Sequence, residues 1–189
     1  MTYVSLTGTA RQRIAQRLRP GQLAIDATMG NGHDTVFLAG LVGAEGRVFG
    51  FDIQQQALAN TRQRLLDAGL ESRASLFQGG HEHMDLLLPS GVQDQVSAIM
   101  FNLGYLPGSD KHVVTRPETT LRAVDVATRL LGPRGIMTIV AYRGHAGGRE
   151  EANAVSGALD ATSQDGFEIE LHTSAGPWLY VIRKKPQAE

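Results

Sequence analysis

The run Asp26-Ala27-Thr28-Met29-Gly30-Asn31-Gly32 sets a carboxylate just ahead of a glycine-rich turn. Glycines so placed let the chain turn sharply and let a ligand approach the backbone closely. The third glycine of a dinucleotide fingerprint is missing, because Thr35 stands in its place. Asp26 would repel a diphosphate, whereas a cationic sulfonium or ammonium group is favoured beside it. Asp52 ends a second apolar run, where an acid can accept both hydroxyls of a ribose. NAD also uses such an acid, so Asp26 and an antiparallel hairpin at the end of the chain carry the distinction towards S-adenosylmethionine. Asp34 fits two roles equally, a first-turn acid favoured by the helix dipole or a direct ligand contact. Gly79-Gly80-His81 follows a third apolar run, where the adenine edge of a nucleoside would lie; His81 either bounds that pocket or is an exposed loop histidine. His81-Glu82-His83 has metal-ligating residue types, but adjacent and alternate residues seldom converge on one ion, so no metal site is expected.

A second chemical region begins at Phe101-Asn102-Leu103-Gly104-Tyr105-Leu106-Pro107-Gly108. Asn102 and Tyr105 keep the outer positions of the (Asp/Asn)-Pro-Pro-(Tyr/Phe) signature with which methyltransferases hold an exocyclic amine. Both prolines are absent, and a glycine-rich turn with a packing tyrosine is the simpler reading. An aromatic ring there could stack on a base. The loop continues through Ser109-Asp110-Lys111-His112, and a second polar loop runs Tyr142-Arg143-Gly144-His145-Ala146-Gly147-Gly148. Two such loops are costly to order unless they bind something. Asp110 and His145 are the candidates to accept a proton from an amine, although a carboxylate could equally attract the ammonium form and only position it. The chain has no cysteine, which excludes thiolate metal sites and the cysteine-adduct route to pyrimidine carbon 5.

These residues need a frame that gathers them. Apolar runs at Leu23–Ala27, Arg47–Ile53, Ala74–Gln78, Val96–Asn102 and Gly135–Ala141 read as strands. Helical spacing falls at Asp34–Leu41, Gln54–Ala68, Pro117–Leu130 and Glu150–Ala161, with Gly132-Pro133 as the stop after the third. Strand-helix alternation implies a parallel sheet covered on both faces. Phe167–His172 and Trp178–Arg183 have no helix between them and should pair as an antiparallel hairpin at one edge. The expected fold is therefore α/β, a Rossmann-like doubly wound sheet of the class I methyltransferase type, mostly parallel with a C-terminal antiparallel hairpin.

A chain of 189 residues, 42% hydrophobic and 20% charged, reads as one soluble domain over its full length. No apolar stretch approaches the roughly 20 residues that span a bilayer. With no signal-like segment, a cytoplasmic protein without membrane contact is expected. Net charge is −1, yet Arg11, Arg13, Arg17 and Arg19 lie in an acid-free N-terminal segment, and Arg183, Lys184 and Lys185 near the end. Such local basic surface can meet RNA phosphates, or be ordinary solvated arginine.

Four motifs together resemble one small family long labelled putative rRNA methylase. They are Asp26–Thr35, Phe51–Gln54, Phe101–Gly108 with Asp110-Lys111, and Tyr142–Gly148 with Glu150-Glu151. The resemblance runs in order through nearly the whole chain. It implies tRNA methyltransferases that convert 5-aminomethyl-2-thiouridine at the wobble position to the methylaminomethyl form. It also implies that Asp26, Gly30, Asn31, Gly32, Asp34, Asp52 and Gln54 hold the cofactor, and that Asn102, Tyr105, Asp110 and His145 lie at the substrate. The expected partner is a tRNA anticodon arm. A chain with so little beyond the core fold has scant surface for gripping it, which favours a homodimer. Methylation of rRNA or of a small amine, and a non-catalytic cofactor-sensing RNA-binding protein, are the competing readings.

Overall fold

The protein, seen here in a computed structural model, is described at residues 5–108, 112–162 and 166–186. Its strands are β1 (Leu23–Asp26), β2 (Arg47–Asp52), β3 (Ala74–Gln78), β4 (Val96–Leu103), β5 (Leu131–Ala141), β6 (Phe167–His172) and β7 (Trp178–Lys184). The helices are α1 (Leu6–Ala15), α2 (His33–Val42), α3 (Gln55–Asp67), α4 (Met84–Leu87), α5 (Pro117–Leu130) and α6 (Gly148–Thr162). One sheet runs in the order β3-β2-β1-β4-β5-β7-β6. Every pairing from β3 to β5 is parallel, while β7 is antiparallel to both β5 and β6. The expected terminal hairpin is present. Its second strand lies inside and its first forms the edge.

The strands are apolar on both faces, as a covered parallel sheet requires. In β4, Ile99, Phe101 and Leu103 point into one core with α5 and α6, including Ala123, Val124, Ala127, Ala152 and Val155. The alternate residues Ala98 and Met100 point into the other, with Ala10 and Ile14 of α1, Leu38 and Val42 of α2 and Leu65 of α3. The side-chain period of two thus fills a three-layer α/β/α sandwich.

Besides the short helix α4, two features depart from the expected elements. Helix α1 falls in the segment read only as basic. Only Ala10 and Ile14 of its ten residues are buried, so its apolar stripe is too narrow to show periodicity. It starts from Ser5, whose hydroxyl accepts from the Gly8 N–H at 3.1 Å. In β5, Gly132-Pro133 ends the helix as expected but lies within the strand. Leu131 pairs with Val96 and Ile136 with Ala98, so residues 132–135 bulge out of the ladder. Other element ends differ from expectation by one or two residues.

Ile14 is fully buried and is a main anchor of α1. Ile14→Ala should destabilise the chain by about 2–5 kcal/mol, read as a lower urea midpoint. A midpoint within error of wild type would mean that α1 is not docked.

Candidate active site

The carboxyl ends of β1, β2, β3, β4 and β5 open on a cavity of about 940 Å3. That is near the upper end of the roughly 300–1,000 Å3 typical of small-molecule sites, enough for a nucleoside cofactor and part of a second molecule. Its walls bring together Gly30, Asn31, Asp34, Asp52, Gln54, His81, Asn102, Tyr105 and His145. All were expected from the sequence. Asp110 lies outside the described residues. Asp26 and Gly32 are expected site residues that do not face the cavity.

Asp26 is completely buried beneath the turn. The Thr35 hydroxyl donates to it at 2.7 Å and the Thr28 N–H at 3.4 Å. Thr35 at the third-glycine position therefore has a partner of its own. Burial, then the nearby charge of Asp34 and, more weakly, Asp52, push the Asp26 carboxyl up to about 7, against those two hydrogen bonds. Gly32 has φ of 80°, and a Cβ there would lie 2.8 Å from the Thr61 Cα. Its glycine serves the close approach of α3 rather than of a ligand. At Gly30 the nearest neighbour of a Cβ would be Leu106 of the β4 loop, at 3.4 Å.

The turn is tied to its neighbours on three sides. The Gly30 N–H donates to Asp52 at 3.0 Å, and the Gln54 N–H to the other Asp52 oxygen at 2.9 Å. Burial raises the Asp52 carboxyl despite these bonds. Asn31 accepts from Asn60 at 2.8 Å and donates to the Pro107 carbonyl at 3.2 Å, joining the turn to the β4 loop. Across the cavity, His81 is 8% exposed, packs at 5.9 Å from the Phe101 ring and is hydrogen-bonded to the Ala27 backbone. Burial lowers its pKa, so the ring is a neutral wall at pH 7. His83 faces outward, its side chain 56% exposed. Among the described residues, no three His, Asp or Glu side chains converge on a metal position.

A second cluster in the cavity wall is built around Asp34, 6% exposed. Its Oδ2 accepts from the Asn102 amide at 2.7 Å, and its Oδ1 from the Arg11 guanidinium at 2.6 Å. Only the NH2 of an amide can donate to a carboxylate, so the side-chain oxygen of Asn102 is left as an acceptor. Tyr105 is 39% exposed and meets His145 edge-on at 6.2 Å. His145 Nδ1 lies 3.0 Å from the Ala146 carbonyl, which can only accept, so Nδ1 carries the proton. Nε2 is buried without a hydrogen-bond partner among the described residues. Glu151, 1% exposed, braces the returning loop by accepting from Thr115 at 2.7 Å and Thr120 at 2.6 Å.

Sequence reasoning missed Arg11 and Thr7, which line the cavity from α1. Thr7 also meets the Tyr142 hydroxyl at 3.1 Å. The acid-free arginine segment was the available signal, but nothing local showed that it folds back over the site.

Sheet order and the lone antiparallel strand β7 define a class I methyltransferase fold. Residues 48–175 match the family model described as “Putative rRNA methylase”. A structure from Clostridium thermocellum, described as a “putative rRNA-methylase”, shares 41% identity over 97% of this chain and 100% of its own, with a TM-score of 0.91. A “putative methyltransferase” from Streptococcus mutans, in complex with SAH, is 32% identical over 97% of this chain and 99% of its own, with a TM-score of 0.85. The chloroplastic tRNA (mnm(5)s(2)U34)-methyltransferase of Arabidopsis thaliana is 40% identical over 149 residues, 74% of this chain. That match spans about half, 53%, of the plant protein. The chain belongs to the “Putative rRNA methylase” family of class I S-adenosylmethionine-dependent methyltransferases. Among the described residues, no helix is long and apolar enough to cross a membrane.

Asp26 yields a pH prediction. An aspartate in the unfolded chain titrates near ~3.9, whereas folded Asp26 keeps its proton to about 7. Between these values the folded state binds the extra proton, so this contribution is present in full at low pH and fades as pH rises through 7. Asp26→Asn cannot ionise, so its stability relative to wild type should rise between pH 5 and pH 8 in urea titrations. A pH-independent difference would show that Asp26 ionises normally.

Proposed function

We propose that the chain transfers a methyl group from S-adenosylmethionine to the aminomethyl nitrogen of 5-aminomethyl-2-thiouridine at the wobble position of tRNA. The observation that carries this reading is the Asn102 amide, fixed by Asp34 at 2.7 Å with its oxygen left to accept. An acceptor held at the end of β4 suits an amine nucleophile, and the plant relative's name supplies the substrate.

The donor set fits the cofactor. Asp52 presents carboxylate oxygens suited to ribose hydroxyls, Asp34 adds negative charge, and the turn lacks the third glycine used for a diphosphate. Gly30, Asn31, Gln54 and His81 complete the cradle, while Asp26 and Gly32 support it from beneath. When bound, S-adenosylmethionine supplies an electrophilic methyl carbon on a sulfonium.

An alkylamine has a pKa of roughly 10, so its deprotonation at pH 7 costs about 4 kcal/mol if unassisted. Asn102 accepts an N–H of the amine and so aims its lone pair. His145 Nε2, unprotonated in the tautomer set by Ala146, takes the departing proton, with Asp110 the second candidate. Tyr105 offers a ring for stacking on the base. The whole chain acts as one domain, and a homodimer would widen the surface offered to an anticodon arm; gel filtration should give twice the chain mass.

The decisive test is nucleoside mass spectrometry of tRNA carrying 5-aminomethyl-2-thiouridine, incubated with the protein and S-adenosylmethionine. One methyl group should be added to that nucleoside, and an unchanged profile would sink the reading. Asn102→Ala should lower kcat by about 100-fold while cofactor affinity stays within a few-fold. An equal loss of cofactor affinity would move Asn102 to the cofactor side.

A further inference from the structure

A second cleft, of about 510 Å3, lies at the other end of the sheet from the cavity. Arg17 and Arg19 after α1, Gln22 before β1, Ser97 of β4 and Arg134 in the β5 bulge are among its walls. Pro133 and Gly135 are its apolar lining residues, unlike the mostly apolar pockets that take small molecules. Its cations also differ from the others near α1 and β7. Arg11 pairs with Asp34, Arg13 and Arg183 with Glu170, and Lys184 with Asp94. Among the described residues, no carboxylate pairs with Arg17, Arg19 or Arg134.

The local geometry holds these cations together. The Arg19 guanidinium donates to the carbonyls of Ala15, Gln16 and Leu18, which fixes it at the end of α1. Arg17 reaches the Arg134 carbonyl at 3.5 Å. Arg134 has φ of 63°, in the left-handed region that favours glycine. Glycines stand at 132 and 135 of the same bulge, yet this position carries an exposed arginine. An arginine held where glycine would be unstrained keeps a third cation beside Arg17 and Arg19.

Helix α1 connects this cleft with the catalytic cavity. Thr7 and Arg11 line the cavity, and Gln16 and Arg17 just beyond the helix line the cleft. Its ten residues make a rod of about 15 Å. We propose that the cleft binds phosphates of the tRNA whose base is methylated at the cavity. Arg17 and Arg134 are the phosphate ligands, Arg19 is a fixed positive charge, and α1 sets the distance between the two contacts. Guanidinium forks match phosphate oxygens, and such contacts fix register while base contacts specify. This inference rests on the tRNA reading above.

The test compares wild type, Arg17→Gln, Arg134→Gly and the double variant on the same tRNA. The double variant should raise KM for tRNA about tenfold, with turnover at saturating tRNA and cofactor affinity held. The slope of log affinity against log salt should flatten by about 1–2, close to one per lost phosphate contact. Arg134→Gly should keep or raise the thermal midpoint, since glycine takes this φ freely, so a lower tRNA affinity cannot be a folding defect. Unchanged KM and salt slope in the double variant, beside a wild type that methylates tRNA, would overturn the cleft and leave the functional reading intact. A wild type that neither binds nor methylates tRNA would overturn both.

Discussion

The Asp34 carboxylate receives donors from two sides, the Arg11 guanidinium and the Asn102 amide. A carboxylate this buried is costly unless each oxygen has a partner, and removing one partner leaves an uncompensated charge. The pair of bonds therefore ties α1, α2 and β4 to one point. It also explains why an N-terminal helix with so narrow an apolar stripe docks here. Ala10 and Ile14 give α1 its burial, and Arg11 fixes its position over the cavity.

The three acids around the glycine turn share a residue type but have three environments. Asp52 accepts backbone N–H groups from both flanking loops and stays at the cavity wall. Asp34 is paired with the Arg11 cation and with the Asn102 amide. Asp26 lies beneath, without a cation of its own, and keeps its proton to about 7. The turn thus carries less negative charge than three carboxylates would suggest. Its electrostatics suit a ligand with a modest net positive charge better than a diphosphate.

The sheet was legible in the sequence because its strands carry apolar residues on both faces, as in Ala98 to Leu103. The helices α2, α3, α5 and α6 were legible from spacing and stops. Helix α1 was hidden because its docking depends on Asp34, 23 residues from Arg11. The acids and glycines of the turn were also legible by position, but their division of labour was not. Spacing places Asp26 and Gly32 beside a ligand; only packing shows that Thr35 engages the first and that Thr61 crowds the second. The bulge at Arg134 follows from a register shift against β4, which no local pattern encodes.

The glycine turn after β1 divides its residues among three tasks. Gly30 supplies the backbone N–H that orients Asp52, Asn31 links the turn to the acceptor loop, and Gly32 lets α3 approach. The turn and the β4 loop are therefore mechanically joined through Asn31 and Pro107, and electrostatically through Asp34. A change in the turn cannot be confined to cofactor binding, because the Asn102 amide is oriented by the same helix that the turn begins. Selectivity for the acceptor must then come from what lies beyond that shared frame. On the reading proposed above, Tyr105 and His145 would supply it at the cavity and α1 would carry it across the protein surface.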